Sequence, residues 1–285
     1  MKRDSGLQRG ILILPSAFTL ANLFFGLYAI VLADRGNAIL AAWLIVFAAI
    51  TDNLDGRIAR FTRTGSRFGA ELDSLVDAIS FGVAPAYLMY AVFFSEGWGW
   101  LVPFTHVAAV VIRLARFNIE QGGKAHKHFL GLPSPSGGML LATFYPFSQT
   151  PFFQTYLQGW ASPEVLATMV VMVSVLMLSH VPYAVVPRIN LRSWTGALSA
   201  ALMAAGVALA ITVPRYYFFP ALAAYTLSGL LRSFVLGLLD RLPDRDPLLD
   251  QESVAEAQRP VDYESYGSSR RTEPTRPADS VEDLS

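Results

Sequence analysis

Cysteine is absent from the 285 residues, which excludes disulfides and thiolate metal sites. Charge is scarce: Asp, Glu, Lys and Arg make up 15% of the chain, where a soluble domain carries about 25%. The net charge is zero, which by itself says nothing about partners; no nucleic-acid partner is expected. Polar residues before about residue 240 are confined to short stretches between long apolar runs. What remains is 53% hydrophobic, in long apolar runs. The fold class is therefore all-α: a polytopic integral membrane helix bundle.

A coarse pass gives about eight transmembrane helices, near 11–33, 38–61, 69–94, 98–117, 136–153, 163–183, 195–213 and 216–239. Pro85 is expected to kink the third. The basic start MKRDSGLQRG could open a signal peptide. The run from Ile11 to Ala33 is long enough to span, however, and no small-residue cleavage site ends it, so it reads as a retained first helix. After Asp240 the chain turns rich in Pro, Ser, Asp, Glu and Arg, the composition of a disordered tail. The divisions are then a cytosolic N-terminus (1–10), a catalytic core (11–194), two additional helices (195–239) and a cytosolic tail (240–285).

Basic residues fall almost entirely on one side of this topology. With the tail left out, 13 Lys and Arg lie on the side of the N-terminus and 2, Arg35 and Arg215, on the other. The positive-inside bias places both termini, and the loop after the second helix, in the cytosol. A bacterial-type plasma membrane is the expected location.

That loop joins two acid-bearing helix ends. Residues 52–60 read D-N-L-D-G-R-I-A-R and residues 69–77 read G-A-E-L-D-S-L-V-D. An Asp at mid-bilayer costs roughly 2.5–3.5 kcal/mol on insertion scales, so four need compensation. Asp52 and Asp55 are i and i+3; Asp73 and Asp77 are i and i+4. Each pair shares a helix face. Asp52 lies about 12 Å deeper than Arg60 along a helix. Gly56, Ala59 and Gly69 keep the surround small and permit close approach. Clustered carboxylates select hard divalent cations, Mg or Mn. Four acids can hold two such ions, and a two-ion site suits phosphoryl chemistry. One acid with less metal contact can act as general base. The competing reading pairs the acids with Arg57, Arg60, Arg63 and Arg67 as a structural charge cluster.

The pattern D-x2-D-G-x2-A-R-x8-G-x3-D-x3-D resembles the motif of the CDP-alcohol phosphotransferases at every fixed position. The resemblance implies a six-helix catalytic core, two divalent cations and a homodimer. It implies transfer of a phosphatidyl or related group from a CDP-linked lipid to an alcohol, with release of CMP. It implies that Asp52, Asp55 and Asp73 are the main metal ligands. Asp77 would be the base, with metal contact of its own. Gly56, Ala59, Arg60 and Gly69 would surround the CDP group.

Three other stretches bear on the acceptor. Thr19, Asn22 and Gly26 lie within two turns of the first helix, where polar groups can reach phosphate oxygens of the CDP-lipid or simply join helices. R-L-A-R-F-N puts Arg113, Arg116 and Asn118 at the end of the fourth helix. The two Arg forks can bind a carboxylate or snorkel at the interface. F-L-G-L-P-S-P-S-G-G, residues 129–138, describes a rigid entry into the fifth helix. The last two stretches resemble the phosphatidylserine synthase branch of the family, with CDP-diacylglycerol and L-serine as substrates. Arg113, Arg116 and Asn118 are then the candidate serine site.

Two alternatives remain open. One is a sister enzyme using inositol phosphate, glycerol phosphate or choline. The other is a divalent-cation or proton-coupled transporter, which would spread its acids along a pore. His106, His126, His128 and His180 offer a histidine metal site or, at H-K-H, a solvated basic patch. The sequence offers no chemistry for the last two helices.

Overall fold

A computed structural model of the chain describes residues 5–62, 67–121, 129–183 and 194–237. The tail from residue 240 lies outside the described residues, as do His126 and His128. The eight apolar segments all form helices. They are α1 (Ser5–Asp34), α2 (Ala38–Thr62), α3 (Arg67–Asp77) with α4 (Ala84–Phe93), α5 (Leu101–Gln121), α6 (Ser134–Ser148) with α7 (Pro151–Tyr156), α8 (Pro163–Leu178), α9 (Trp194–Thr212) and α10 (Pro214–Gly237). Four spans are long and apolar enough to cross a bilayer: 17–34, 38–58, 68–93 and 97–119. Shorter apolar helices follow. The protein is a polytopic membrane helical bundle.

Size sorts the residues in a way that water would not. The buried seam between α1 and α2 is rich in alanine, with Ala29, Ala33, Ala38, Ala41, Ala42 and Ala48 beside Leu32, Leu44 and Ile45. Leu20, Phe24, Leu27 and Val31 of α1 face outward. Between helices in lipid, close van der Waals packing replaces the hydrophobic effect, so small residues go inside and large ones meet the acyl chains.

Two segments expected to be single helices are interrupted. The third is α-helical to Asp77, runs as a π-helix over Ala78–Val83, and resumes as α4. The irregularity therefore lies ahead of Pro85 rather than at it. Pro85 has no N–H, so the Phe81 carbonyl four residues before it has no i+4 donor. Nε2 of His106 on α5 lies 2.9 Å from that oxygen. The fifth segment ends α6 at Ser148 and restarts as α7 at Pro151. Pro151 disfavours helical backbone at Thr150, and the Thr150 side chain caps the new helix by accepting from the Phe153 N–H.

Near the entry to α6, β1 (Phe129–Leu130) pairs antiparallel with β2 (Pro182–Tyr183). Gly131 has φ 81° and lies against the last turn of α8, where an added Cβ would meet the Ser179 carbonyl oxygen at 2.8 Å. Only glycine combines that backbone with that approach.

Gly138 of α6 sits over the π segment; an added Cβ would stand 2.7 Å from the Phe81 carbonyl oxygen. Gly138→Ala should therefore force α6 outward and destabilise the fold by about 1–3 kcal/mol. Thermal unfolding of the detergent-solubilised protein would register this as a lowered Tm.

Candidate active site

The acids meet where α2 and α3 come together under α1. Carboxylate oxygens of Asp52, Asp55 and Asp73 lie within 4.8 Å of one another. Asp77 stands beside this trio, within hydrogen-bonding reach of Asp52. Asp55 and Asp77 are buried, and Asp52 and Asp73 half-buried.

The first helix orients two of them. Thr19 Oγ1 donates to Asp55 Oδ2 at 3.1 Å, and Asn22 Nδ2 donates to Asp77 Oδ1 at 3.2 Å. Both donors are buried. Thr19 and Asn22, expected near the CDP-lipid, thus hold acids in place. Their spacing of three residues brings both to one face of α1. Gly26, one turn further, lets that face approach the backbone of Ser80.

Among the described residues, the groups acting on the four carboxylates are one another, Thr19, Asn22 and the Gly56 backbone. Arg57 does not join them. With Val46, Ala49, Ile50, Asn53 and Leu54 it lines an open groove of about 390 Å³ closed by Met139 and Phe218. That face of α2 is nearly opposite the acid face at 100° per residue. The charge-cluster reading therefore fails for Arg57. The side chains of Ala59, Arg60, Arg63 and Arg67 lie outside the described residues.

The donor set fits a hard divalent cation. All its ligands are carboxylate oxygens, the choice of Mg²⁺ and Mn²⁺. Asp73 Oδ1 is buried without a hydrogen-bond partner among the described residues, as an oxygen shaped to meet an ion would be. Close carboxylates hold together only around a shared cation or proton. This is the one His/Cys/Asp/Glu group with such geometry among the described residues. His106 is buried on α5 and His180 exposed after α8. The acids crowd one site at the ends of two helices rather than lining a path, unlike the arrangement expected of a transporter.

The candidate acceptor residues are spread over helix junctions. Arg113 is buried and its Nη1 donates to Ser134 Oγ, at the start of α6, at 3.1 Å. Nη1 of Arg116 donates to the Leu178 carbonyl, the last of α8, at 3.2 Å. Asn118 Nδ2 donates to Glu71 Oε2 at 3.1 Å, and its Oδ1 accepts from Ser74 Oγ at 3.0 Å. Asn118 therefore braces α3 one residue from Asp73. Sequence reading missed Glu71, Ser74 and Ser80. Ser74 and Ser80 each follow an acid by one turn or less, and that spacing was the available signal.

A membrane helix bundle that gathers three carboxylates able to hold a metal ion at one site fits the class of integral membrane enzymes that work on phosphate groups. The comparisons make this specific. The family model for CDP-alcohol phosphatidyltransferases matches residues 12–238, and the chain belongs to that family. A CDP-diacylglycerol–serine O-phosphatidyltransferase of Mycobacterium tuberculosis strain H37Rv is 36% identical over 224 residues, 75% of each chain. One from Helicobacter pylori strain 26695 is 36% identical over 176 residues, 60% of this chain and 71% of its own. An archaetidylserine synthase of Methanothermobacter thermautotrophicus is 36% identical over 182 residues, 62% and 70% of the two chains.

Removing either brace should loosen the metal site. Thr19→Val or Asn22→Leu is expected to lower Mn²⁺ affinity about tenfold, as outer partners of metal ligands do. An Mn²⁺ titration followed by electron paramagnetic resonance would measure it without any substrate.

Proposed function

We propose that this protein transfers the phosphatidyl group of CDP-diacylglycerol to the hydroxyl of L-serine, giving phosphatidylserine and CMP. The observation that carries the reading is the carboxylate trio with Asp77 beside it, set in the complete eight-position motif. The relatives support the acceptor. The bacterial and archaeal proteins named above differ in lipid name but share serine.

In the proposed reaction the serine hydroxyl oxygen attacks the phosphorus that carries diacylglycerol. A new P–O bond forms, the bond to the CMP phosphate oxygen breaks, and CMP leaves. Asp77 takes the hydroxyl proton; buried beside the trio, it is held at a defined angle by Asn22. Asp52, Asp55 and Asp73, with a further contact from Asp77, would hold two divalent cations, Mg or Mn. When bound, these supply positive charge to the diphosphate and the leaving oxygen. Gly56, Ala59, Arg60 and Gly69 would surround the CDP group. Arg113 and Arg116, the paired cations near the end of α5, would receive the serine carboxylate.

The remaining parts of the reading follow the charge bias and the family. The active site and both termini face the cytosol of a bacterial-type plasma membrane. Residues 11–194 form the catalytic core, 195–239 add two helices, and the active form is a homodimer.

Three measurements test this. Purified protein given CDP-diacylglycerol, Mn²⁺ and a panel of serine, glycerol phosphate, inositol phosphate and choline should release CMP with serine. Release with another acceptor and none with serine would overturn the assignment. Asp77→Asn should lower kcat by about 10²–10⁴, the usual worth of a general base, while Mn²⁺ still binds. Arg113→Ala should raise KM for serine more than KM for the CDP-lipid; equal shifts would make Arg113 purely structural.

A further inference from the structure

His106 takes no part in the chemistry above, yet it is completely buried in α5. Its Nε2 lies 2.9 Å from the Phe81 carbonyl oxygen. A carbonyl only accepts, so Nε2 carries the proton and Nδ1 is bare. Nδ1 is buried with no hydrogen-bond partner among the described residues, which costs about 1–3 kcal/mol. An apolar side chain of similar size would avoid that cost. The polar contact with Phe81 is therefore what the imidazole contributes.

Phe81 lies within the π segment, which begins at Ala78, directly after Asp77. A π turn holds about one residue more than an α turn, so it shifts the phase of the helix by about 100°. Everything before it, Asp73 and Asp77 included, is rotated by that amount relative to α4. The segment would lose this phase if it relaxed to regular α-helix. It is gripped from the other side as well. Ser80 Oγ donates to the Asn22 carbonyl at 3.1 Å, and Asn22 in turn donates to Asp77. Gly138 fits against the same Phe81 carbonyl.

We infer that His106 is a positioning residue: by donating to the Phe81 carbonyl left open by Pro85, it fixes the π segment and so the rotation at which α3 presents Asp73 and Asp77. Its importance for turnover rests on the roles proposed for those two acids.

Two polar variants of the full chain separate this from simple core packing. Gln reaches about as far as Nε2 and can donate to Phe81; Asn reaches only as far as Nδ1 and cannot. His106→Gln should stay within about threefold of wild type, whereas His106→Asn should lose about tenfold in Mn²⁺ affinity and about 100-fold in kcat. KM for both substrates should move little in His106→Asn. Equal behaviour of the two variants would overturn the inference. So would a His106→Asn protein with lowered Tm but wild-type Mn²⁺ affinity and turnover per folded molecule. Failure of both variants to fold would also overturn it, since packing alone would then explain the residue. If His106→Asn alone fails to fold, a His106→Gln with wild-type Mn²⁺ affinity supports the inference and a weakened one overturns it. Wild-type protein that binds Mn²⁺ but releases no CMP with serine would refute the proposed reaction. The Mn²⁺ comparison would still decide the role of His106.

Discussion

Mutual repulsion among four carboxylates in a membrane bundle is the constraint around which the other parts of this protein arrange themselves. Each Asp resists burial by a few kcal/mol, and three bring oxygens within 4.8 Å of one another. No packing of apolar helices would bring them there unaided. Hydrogen-bond donors from α1 hold Asp55 and Asp77, and the Asn118 bridge holds α3, the helix that carries Asp73 and Asp77. The balance of negative charge is what a divalent cation answers. The protein thus spends part of its stability on carboxylates held close together in a geometry able to take a metal ion.

Helix contact supports that site through small residues at selected places. The alanine seam lets α1 lie close along α2, and Gly26 brings α1 onto the π segment. Elsewhere aromatics fill the gaps. Phe219 of α10 stacks on Phe147 with ring centroids 5.1 Å apart and meets Phe144 edge-on at 5.2 Å. The last helix is thereby part of the packed core, although the sequence suggested no chemistry for it. Tyr183 reaches α10 as well, lying against Gly229 and donating to the Thr226 carbonyl at 3.4 Å.

Much of this was legible before any coordinates. Hydropathy marked each helix, because a bilayer demands apolar runs of a fixed length. The acid spacing marked the site, because i+3 and i+4 neighbours share a face whatever surrounds them. The same rule could not say which partners α1 would choose. Thr19 and Asn22 read as phosphate contacts or as helix glue, and nothing local announced their bonds to Asp55 and Asp77. Pro85 announced an irregular helix, but not that it would take the form of a π segment with its Phe81 carbonyl against a histidine 21 positions after the proline.

By itself, then, the sequence determined the membrane-embedded helical class, the helix order and the residues able to hold metal. Those follow from local periodicity and from the cost of charge in lipid, both of which act along the chain. Tertiary structure alone decided the break between α6 and α7, the π segment in place of a simple kink, the turning of Arg57 away from the acids, and the Thr19 and Asn22 braces. Each depends on which groups meet across helices distant in sequence, where an unpaired carbonyl or carboxylate takes the nearest available donor.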